Sequence, residues 1–274
     1  MTARDVAPAP PAAGNALLTR IWNGGGGAAR LRSLSLVAVL SIWELFGRAN
    51  PLVASYPSEI FQAAREHLLP TVLPAFAESL HGFATGYAIS IVVGIPLGLI
   101  MSQSRILELA LAPYVSALYA MPRVALIPVL ILWLGVSFEL RVGVVIISGL
   151  FAIILNTYLG AKEVDQELVD VGSAFAAGRA RTIRTIIVPA SVPYIFAGLR
   201  IGMARSLIGI VVAEIAASTA GVGHLIKSSA QYLQMARMFV PIILLGLFAI
   251  LLTDLFRRFE RRATQPWLYR KAGR

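Results

Sequence analysis

Cysteine is absent from the 274 residues, which removes disulfides, thiolate nucleophiles and cysteine metal sites and leaves the redox compartment unreadable. Charge is scarce, at 14% of residues, and uneven, with 14 acidic against 24 basic side chains. Histidine is scarcer still. His67, His81 and His224 form no His-Glu-x-x-His motif and stand beside no nucleophile elbow, so a membrane-embedded hydrolase lacks its parts. No Gly-rich loop ends in Gly-Lys-Ser or Gly-Lys-Thr; the run Gly24 to Gly27 has no such lysine and reads as linker. The chain is therefore not expected to be an enzyme, and no cofactor or metal is expected in it.

What fills the sequence is apolar. Hydrophobic residues make up 57% of it, and the mean hydropathy of +0.75 does not describe a soluble globular domain. An all-α integral membrane protein follows, because a helix satisfies its own backbone in lipid and about 20 apolar residues cross a bilayer. Six segments qualify: Leu31 to Gly47, Ser79 to Met101, Leu107 to Gly135, Val142 to Ala161, Ala190 to Ala217 and Met238 to Phe256. The first is the shortest and carries Glu44.

Basic residues orient these spans. An inside amino terminus places sixteen of the 24 Lys and Arg residues in the cytoplasm. Five (Arg48, Arg65, Arg141, Lys227 and Arg237) then lie outside, and three (Arg123, Arg200 and Arg205) lie within spans. Both termini are expected in the cytoplasm. The formal net charge of +10 is accordingly read as an inner-face feature that sets topology and meets anionic lipid, not as a nucleic-acid surface.

Residues 1–30, with Pro8, Pro10, Pro11 and the tetraglycine, read as a disordered cytoplasmic tail. The membrane-embedded domain is expected over 31–262 and a second cytoplasmic tail over 263–274. A cleaved signal peptide is not expected, because the first apolar run begins only after Arg32 and no small-residue cleavage site follows it. Outside the membrane, Pro57-Ser58-Glu59 opens a stretch with Ile60, Ala63, Ala64 and His67 at helical spacing, a short surface helix.

Between the fourth and fifth spans stands a polar insert, at about 162–189. Val164, Leu168, Val171 and Phe175 recur at helical intervals and predict a short amphipathic helix, with Gly178 as its stop. A second helical stretch carries Arg179, Arg181 and Arg184 and is expected to end near Val188, since Pro189 disfavours helix in the residue before it. Asp170-Val171-Gly172, then Ala176, then Ile186-x-Val188-Pro189 resembles the signature of ABC-importer permeases: an acidic residue, two small residues, a Gly three places on, and Ile-x-Leu-Pro after nine. Asp170 stands where Glu is usual, Gly172 for Ala, Ala176 for Gly and Val188 for Leu, so spacing carries more of the match than spelling does. Trp43-Glu44, Pro57-Ser58-Glu59, and Val212-Ala213-Glu214 followed by Gly221-Val222-Gly223 resemble what the nitrate, sulfonate and taurine branch carries.

The resemblance covers roughly Leu31 to Arg262 and implies the type I ABC importer permease fold with a cytoplasmic coupling helix. It implies a homodimer of this chain in a bacterial inner membrane. Two cytoplasmic ABC ATPase subunits would grip Glu167, Asp170, Val171, Gly172, Phe175, Ala176, Ile186, Val188 and Pro189. An external solute-binding protein would deliver a small solute, for which the branch suggests an anion such as nitrate or a sulfonate.

Pathway candidates come from costly residues. Pro113, Pro122 and Pro128 interrupt the third span, so a straight helix is not expected, and Met121-Pro122-Arg123 marks broken backbone of the kind tolerated beside protein or a water-filled cavity. Arg123 either lines a pathway or snorkels to an interface. Arg205 and Glu214 of the fifth span are ionisable at membrane depth; Glu214 is either a solute contact or the partner of an arginine on a neighbouring span. The alternative to an ATP-driven importer is an ion-gradient-driven secondary transporter or channel. It would call for an ionisable relay or paired broken helices, neither of which stands out.

Overall fold

A computed structural model describes residues 27–50, 54–175 and 178–268. The described residues are helical throughout, apart from short connections, and the chain divides near Phe61 into two compact units.

The first unit holds helix α1 (Gly27–Ala49) and the opening turn of α2 (Pro57–His67). Pro57 begins α2, a position where its missing N–H costs nothing. Glu44 accepts hydrogen bonds from the Ser58 amide (3.0 Å) and hydroxyl (2.6 Å), placing a carboxylate at the positive end of α2, and Trp43 Nε1 donates to the Ser55 carbonyl (2.8 Å). The Trp43-Glu44 and Pro57-Ser58-Glu59 motifs, separate in sequence, thus lock to each other.

In the second unit α2 passes through a π-helical turn (Leu68–Val72) into α3 (Leu73–Gln103), giving one helical run of 47 residues where a short surface helix was expected. Then follow α4 (Arg105–Ala120), a 3₁₀ turn (Arg123–Leu126), α5 (Ile127–Leu134), α6 (Phe138–Lys162) and α7 (Gln166–Ala174). The chain ends with α8 (Arg179–Thr182), a second π-helical turn (Ile183–Ile187), α9 (Val188–Ala217), α10 (Val222–Gln231) and α11 (Met235–Leu268). Among the described residues four helical runs are long and apolar enough to cross a membrane, five if α4 and the stretch Arg123–Leu134 (the 3₁₀ turn with α5), bent by 98°, make one span. These five contain the second to sixth runs expected from sequence. The first lies in α1, which is long enough at 23 residues but holds Arg30, Arg32, Glu44 and Arg48 and is not among them.

Two sequence expectations are corrected. Pro189 does not end a helix: Arg179–Ala217 is one run of 39 residues, because the wider π turn immediately before Val188 moves the carbonyl that the proline ring would strike. Gly178 does not stop α7, which ends at Ala174; it is the extended residue before α8, with φ −63°. Of the tails expected over 1–30 and 263–274, residues 27–30 and 263–268 are helical, and 1–26 and 269–274 lie outside the described residues.

The core is α6, flanked by α3 and α9. Phe83 and Tyr87 of α3, Val145 and Ile153 of α6, and Leu199, Met203 and Ile210 of α9 form one buried cluster. Lipid offers no hydrophobic drive to push helices together, so contact rests on close packing and buried hydrogen bonds. At Gly86 a Cβ would stand 2.7 Å from Val145 Cβ and 2.9 Å from the Val142 carbonyl; glycine there lets the α3 backbone touch α6. The Ser206 hydroxyl donates to the Val145 carbonyl (3.1 Å), and the Tyr87 hydroxyl to the Leu199 carbonyl (2.8 Å), tying α9 to both partners. Arg200 pairs with Glu260 of α11 at 2.9 Å, a partner that helps explain how its charge is carried. By contrast Leu247, Ile250 and Leu251 of α11 face outward, as a lipid-facing surface should.

Gly86→Leu should lower unfolding free energy by about 1–3 kcal/mol through overpacking, read by denaturant titration in detergent. Gly246→Leu, where nothing lies within 4 Å of an added Cβ, should leave the midpoint unchanged.

Candidate functional site

Three groups of residues singled out from sequence fall at three places. The insert supplies the first. Asp165 Oδ1 accepts from the Glu167 amide (3.0 Å) and starts α7, and Gln166 Nε2 reaches Asp170 Oδ1 (3.2 Å) along the same exposed face. Leu168, Val171 and Phe175 form an apolar ridge that no other part of the described chain covers; Phe175 is 83% exposed. Gly172 lies on the opposite side, where an added Cβ would come 2.9 Å from Ile186 Cδ1, so Ile186 seats the helix on the second π turn. Ala176 lies outside the described residues. Arg179 donates to the Gln103 carbonyl at the end of α3, and Tyr194 of α9 to Glu163, so the insert is fastened at both ends. Lys162 and Tyr158 at the end of α6 both meet Glu108 of α4.

The second place is the bend. Ala120 ends α4, Met121 and Pro122 are extended, and Arg123 opens the 3₁₀ turn. The break follows from Pro122, which holds Met121 out of helical geometry. Arg123 Nη2 donates to the Tyr119 carbonyl (3.0 Å), and the Arg205 guanidinium of α9 stacks 4.1 Å from the Tyr119 ring centroid. Met121, Pro122, Arg123 and Arg205 are thus brought together; Glu214 is not with them. Tyr119 was not read from sequence, although its position four residues before Arg123, on the last turn before a proline break, was the available signal.

Glu214 forms the third place. It is fully buried. The Ser79 hydroxyl donates to the carboxylate, 2.8 and 2.7 Å from its two oxygens, and the Gly223 amide donates to Oε2 (2.9 Å). Ser79 in turn accepts from the Val222 amide (2.8 Å). Arg141, sorted by sequence among external residues, is buried in the first turn of α6, with Nη1 3.7 Å from Glu214 and Nη2 3.5 Å from Glu78. Gly221 adopts φ +95°, and an added Cβ there would collide with the Glu214 carboxylate, which explains the glycine of Gly221-Val222-Gly223 twice over. One carboxylate therefore joins α3, α6, α9 and α10. Of the histidines outside this group, His81 stacks on Phe138 with centroids 4.9 Å apart and His224 Nδ1 lies 2.8 Å from the Ser218 carbonyl.

Removing one member of a buried charge network strands the others, so Glu214→Ala should cost about 3–5 kcal/mol of stability, with Glu214→Gln costing less. Thermal unfolding of the purified variants is the check. Equal midpoints for wild type and Glu214→Ala would mean that the network holds nothing.

Similar sequences include the nitrate import permease protein NrtB of Synechocystis, 31% identical and aligned over 85% of this chain and 88% of the relative. Another is the taurine transport system permease protein TauC of Escherichia coli, 24% identical over 85% of this chain and 88% of its own length. Among solved structures, the inward-facing MetNI methionine ABC transporter superposes with a TM-score of 0.62 at 16% identity, covering 70% of this chain and 96% of that one, a likeness of fold. Residues 90–265, which hold the insert, the bend and Glu214, match the family of binding-protein-dependent transport system inner membrane components. With that match spanning more than half its length, this chain belongs to that family and is the multi-pass permease component of an ABC importer.

Proposed function

We propose that the chain forms, as a homodimer, the translocation pathway of an ATP-driven importer for a small anionic solute of the nitrate or sulfonate kind, handed over by an external binding protein. ATP hydrolysis takes place on two cytoplasmic ABC ATPase subunits, each gripping one insert through Glu167, Asp170, Val171, Gly172, Phe175, Ala176, Ile186, Val188 and Pro189. Both termini are cytoplasmic, in keeping with the excess of Lys and Arg on that side, and the membrane is a bacterial inner membrane.

The observation that carries the reading is the bare apolar ridge of α7. A short helix with Leu168, Val171 and Phe175 exposed beside Asp170 suits a groove on a partner protein better than it suits water. Transmission also has a physical route. The run from Arg179 to Ala217 is continuous, so a displacement of the ATPase passes through the insert into α9 as the movement of a rigid element. Movement of the α6 end is linked to α4 through Lys162, Tyr158 and Glu108. The ion pairing and hydrogen bonding of Glu214 support the structural alternative for that carboxylate, at the joint of four helices, over direct solute contact.

Asp170→Lys should abolish ATP-coupled uptake into vesicles while leaving membrane insertion intact, and Phe175→Ala should reduce co-purification of the ATPase by about tenfold, the effect of losing a buried aromatic anchor worth 1–2 kcal/mol or more. Normal uptake by Asp170→Lys would remove the insert from the coupling path.

A further inference from the structure

The two arginines at the bend carry positive charge to membrane depth without a counter-charge among the described residues. Arg205 lies about 18 Å from the carboxyl end of α9 at the helical rise of about 1.5 Å per residue. Among the described residues no carboxylate lies within ion-pair distance of Arg123 or Arg205, whereas Arg48, Arg105, Arg141, Lys162 and Arg200 all have one. Arg123 Nε and Arg205 Nη1 are buried and lack a hydrogen-bond partner. Ionised groups at such depth are costly unless compensated, and buried donors left unmade are costly again.

The arrangement of the two groups narrows what can compensate them. The Arg205 guanidinium carbon stands 4.1 Å over the Tyr119 ring centroid, a contact that uses the face of the cation and none of its N–H donors. Arg123 is held through one nitrogen to the carbonyl of the same residue, so its remaining donors are positioned by the backbone of the bend. Two planar forks held on one residue match an acceptor with several oxygens, such as nitrate, carboxylate or sulfonate, better than they match a spherical halide. We infer that Arg123 and Arg205, held by Tyr119, form a binding site for the oxyanion head of a small soluble solute at the bend between α4 and the 3₁₀ turn. This deepens the permease reading and rests on it, since it takes the bend to be part of the solute path.

The test uses the purified full-length chain in nanodiscs of zwitterionic phosphatidylcholine, without ATPase or binding protein. Thermal unfolding is followed by tryptophan fluorescence during titration with sodium nitrate or sodium methanesulfonate at constant ionic strength set by chloride. Both oxyanions should raise the midpoint saturably in the millimolar range, whereas chloride and the uncharged dimethyl sulfone should not. Arg123→Gln and Arg205→Gln should each weaken the apparent affinity about tenfold or more, the loss of one charge-assisted contact, and Arg205→Lys should recover part of it. Protection that persists undiminished in both Gln variants, or no protection of the wild type by either oxyanion, would overturn the site. So would arginine-dependent protection by phosphatidylglycerol alone, which would assign the pair to lipid. If the Gln variants do not fold, equal protection of the wild type by dimethyl sulfone and methanesulfonate overturns it as well. Failure here is separable from failure of the permease reading, because that reading is decided by ATPase co-purification and ATP-coupled uptake, neither of which enters this assay.

Discussion

The close approach of α3 and α9 to α6 is the constraint on which the rest of the molecule depends. In lipid, side chains that are merely apolar do not choose a neighbouring helix over an acyl chain, so the contact has to come from shape and from hydrogen bonds that lipid cannot supply. Gly86 provides the shape between α3 and α6, Ser206 bonds α9 to a carbonyl of α6, and Tyr87 bonds α3 to a carbonyl of α9. Once these three helices are fixed, their ends are fixed too. The Glu214 joint, the Tyr119 bend and the α7 insert all hang from those ends.

The charges divide into two kinds according to how they are met. Glu214 has a hydroxyl, an amide and a guanidinium around it, all contributed by this chain, so its charge is paired. Arg123 meets the carbonyl of Tyr119 and Arg205 meets its ring, and among the described residues neither meets a carboxylate. A paired charge holds helices in one arrangement; an unpaired one leaves affinity for something else. The two kinds sit at different places in the same bundle, so rigidity and binding need not compete for the same residues.

Much of this was legible in the sequence, and the parts that were not share a cause. Long apolar runs and a basic, low-charge composition identify membrane helices without any knowledge of packing, and the spaced Asp170 to Pro189 pattern identified the insert. Of the three prolines expected to interrupt the third span, Pro122 breaks it by keeping Met121 extended, whereas Pro113 lies inside α4 and Pro128 in the first turn of α5. The expectation that Pro189 ends a helix did not hold, because a π turn is a local change of hydrogen-bond spacing that leaves no trace in periodicity over five residues. Partners of charged residues were the other gap: Arg141 and Ser79 are 73 and 135 positions from Glu214, and only the fold brings them to it. Tyr119, an ordinary aromatic in an apolar segment, acquires its role from an arginine on another helix.

The π turns have a consequence for how the two ends of each long run are oriented. A residue added to an α-helix advances everything beyond it by about 100° around the axis. The widened turn at Ile183–Ile187 stands between the arginine-bearing segment and α9, and the one at Leu68–Val72 stands between α2 and α3. Each absorbs such an advance locally, so the azimuth of the outer segment and the azimuth of the core face are set independently along one unbroken rod. Arg179, Arg181 and Arg184 can therefore face one neighbour while α9 keeps Ser206 turned toward α6, along one continuous helical run.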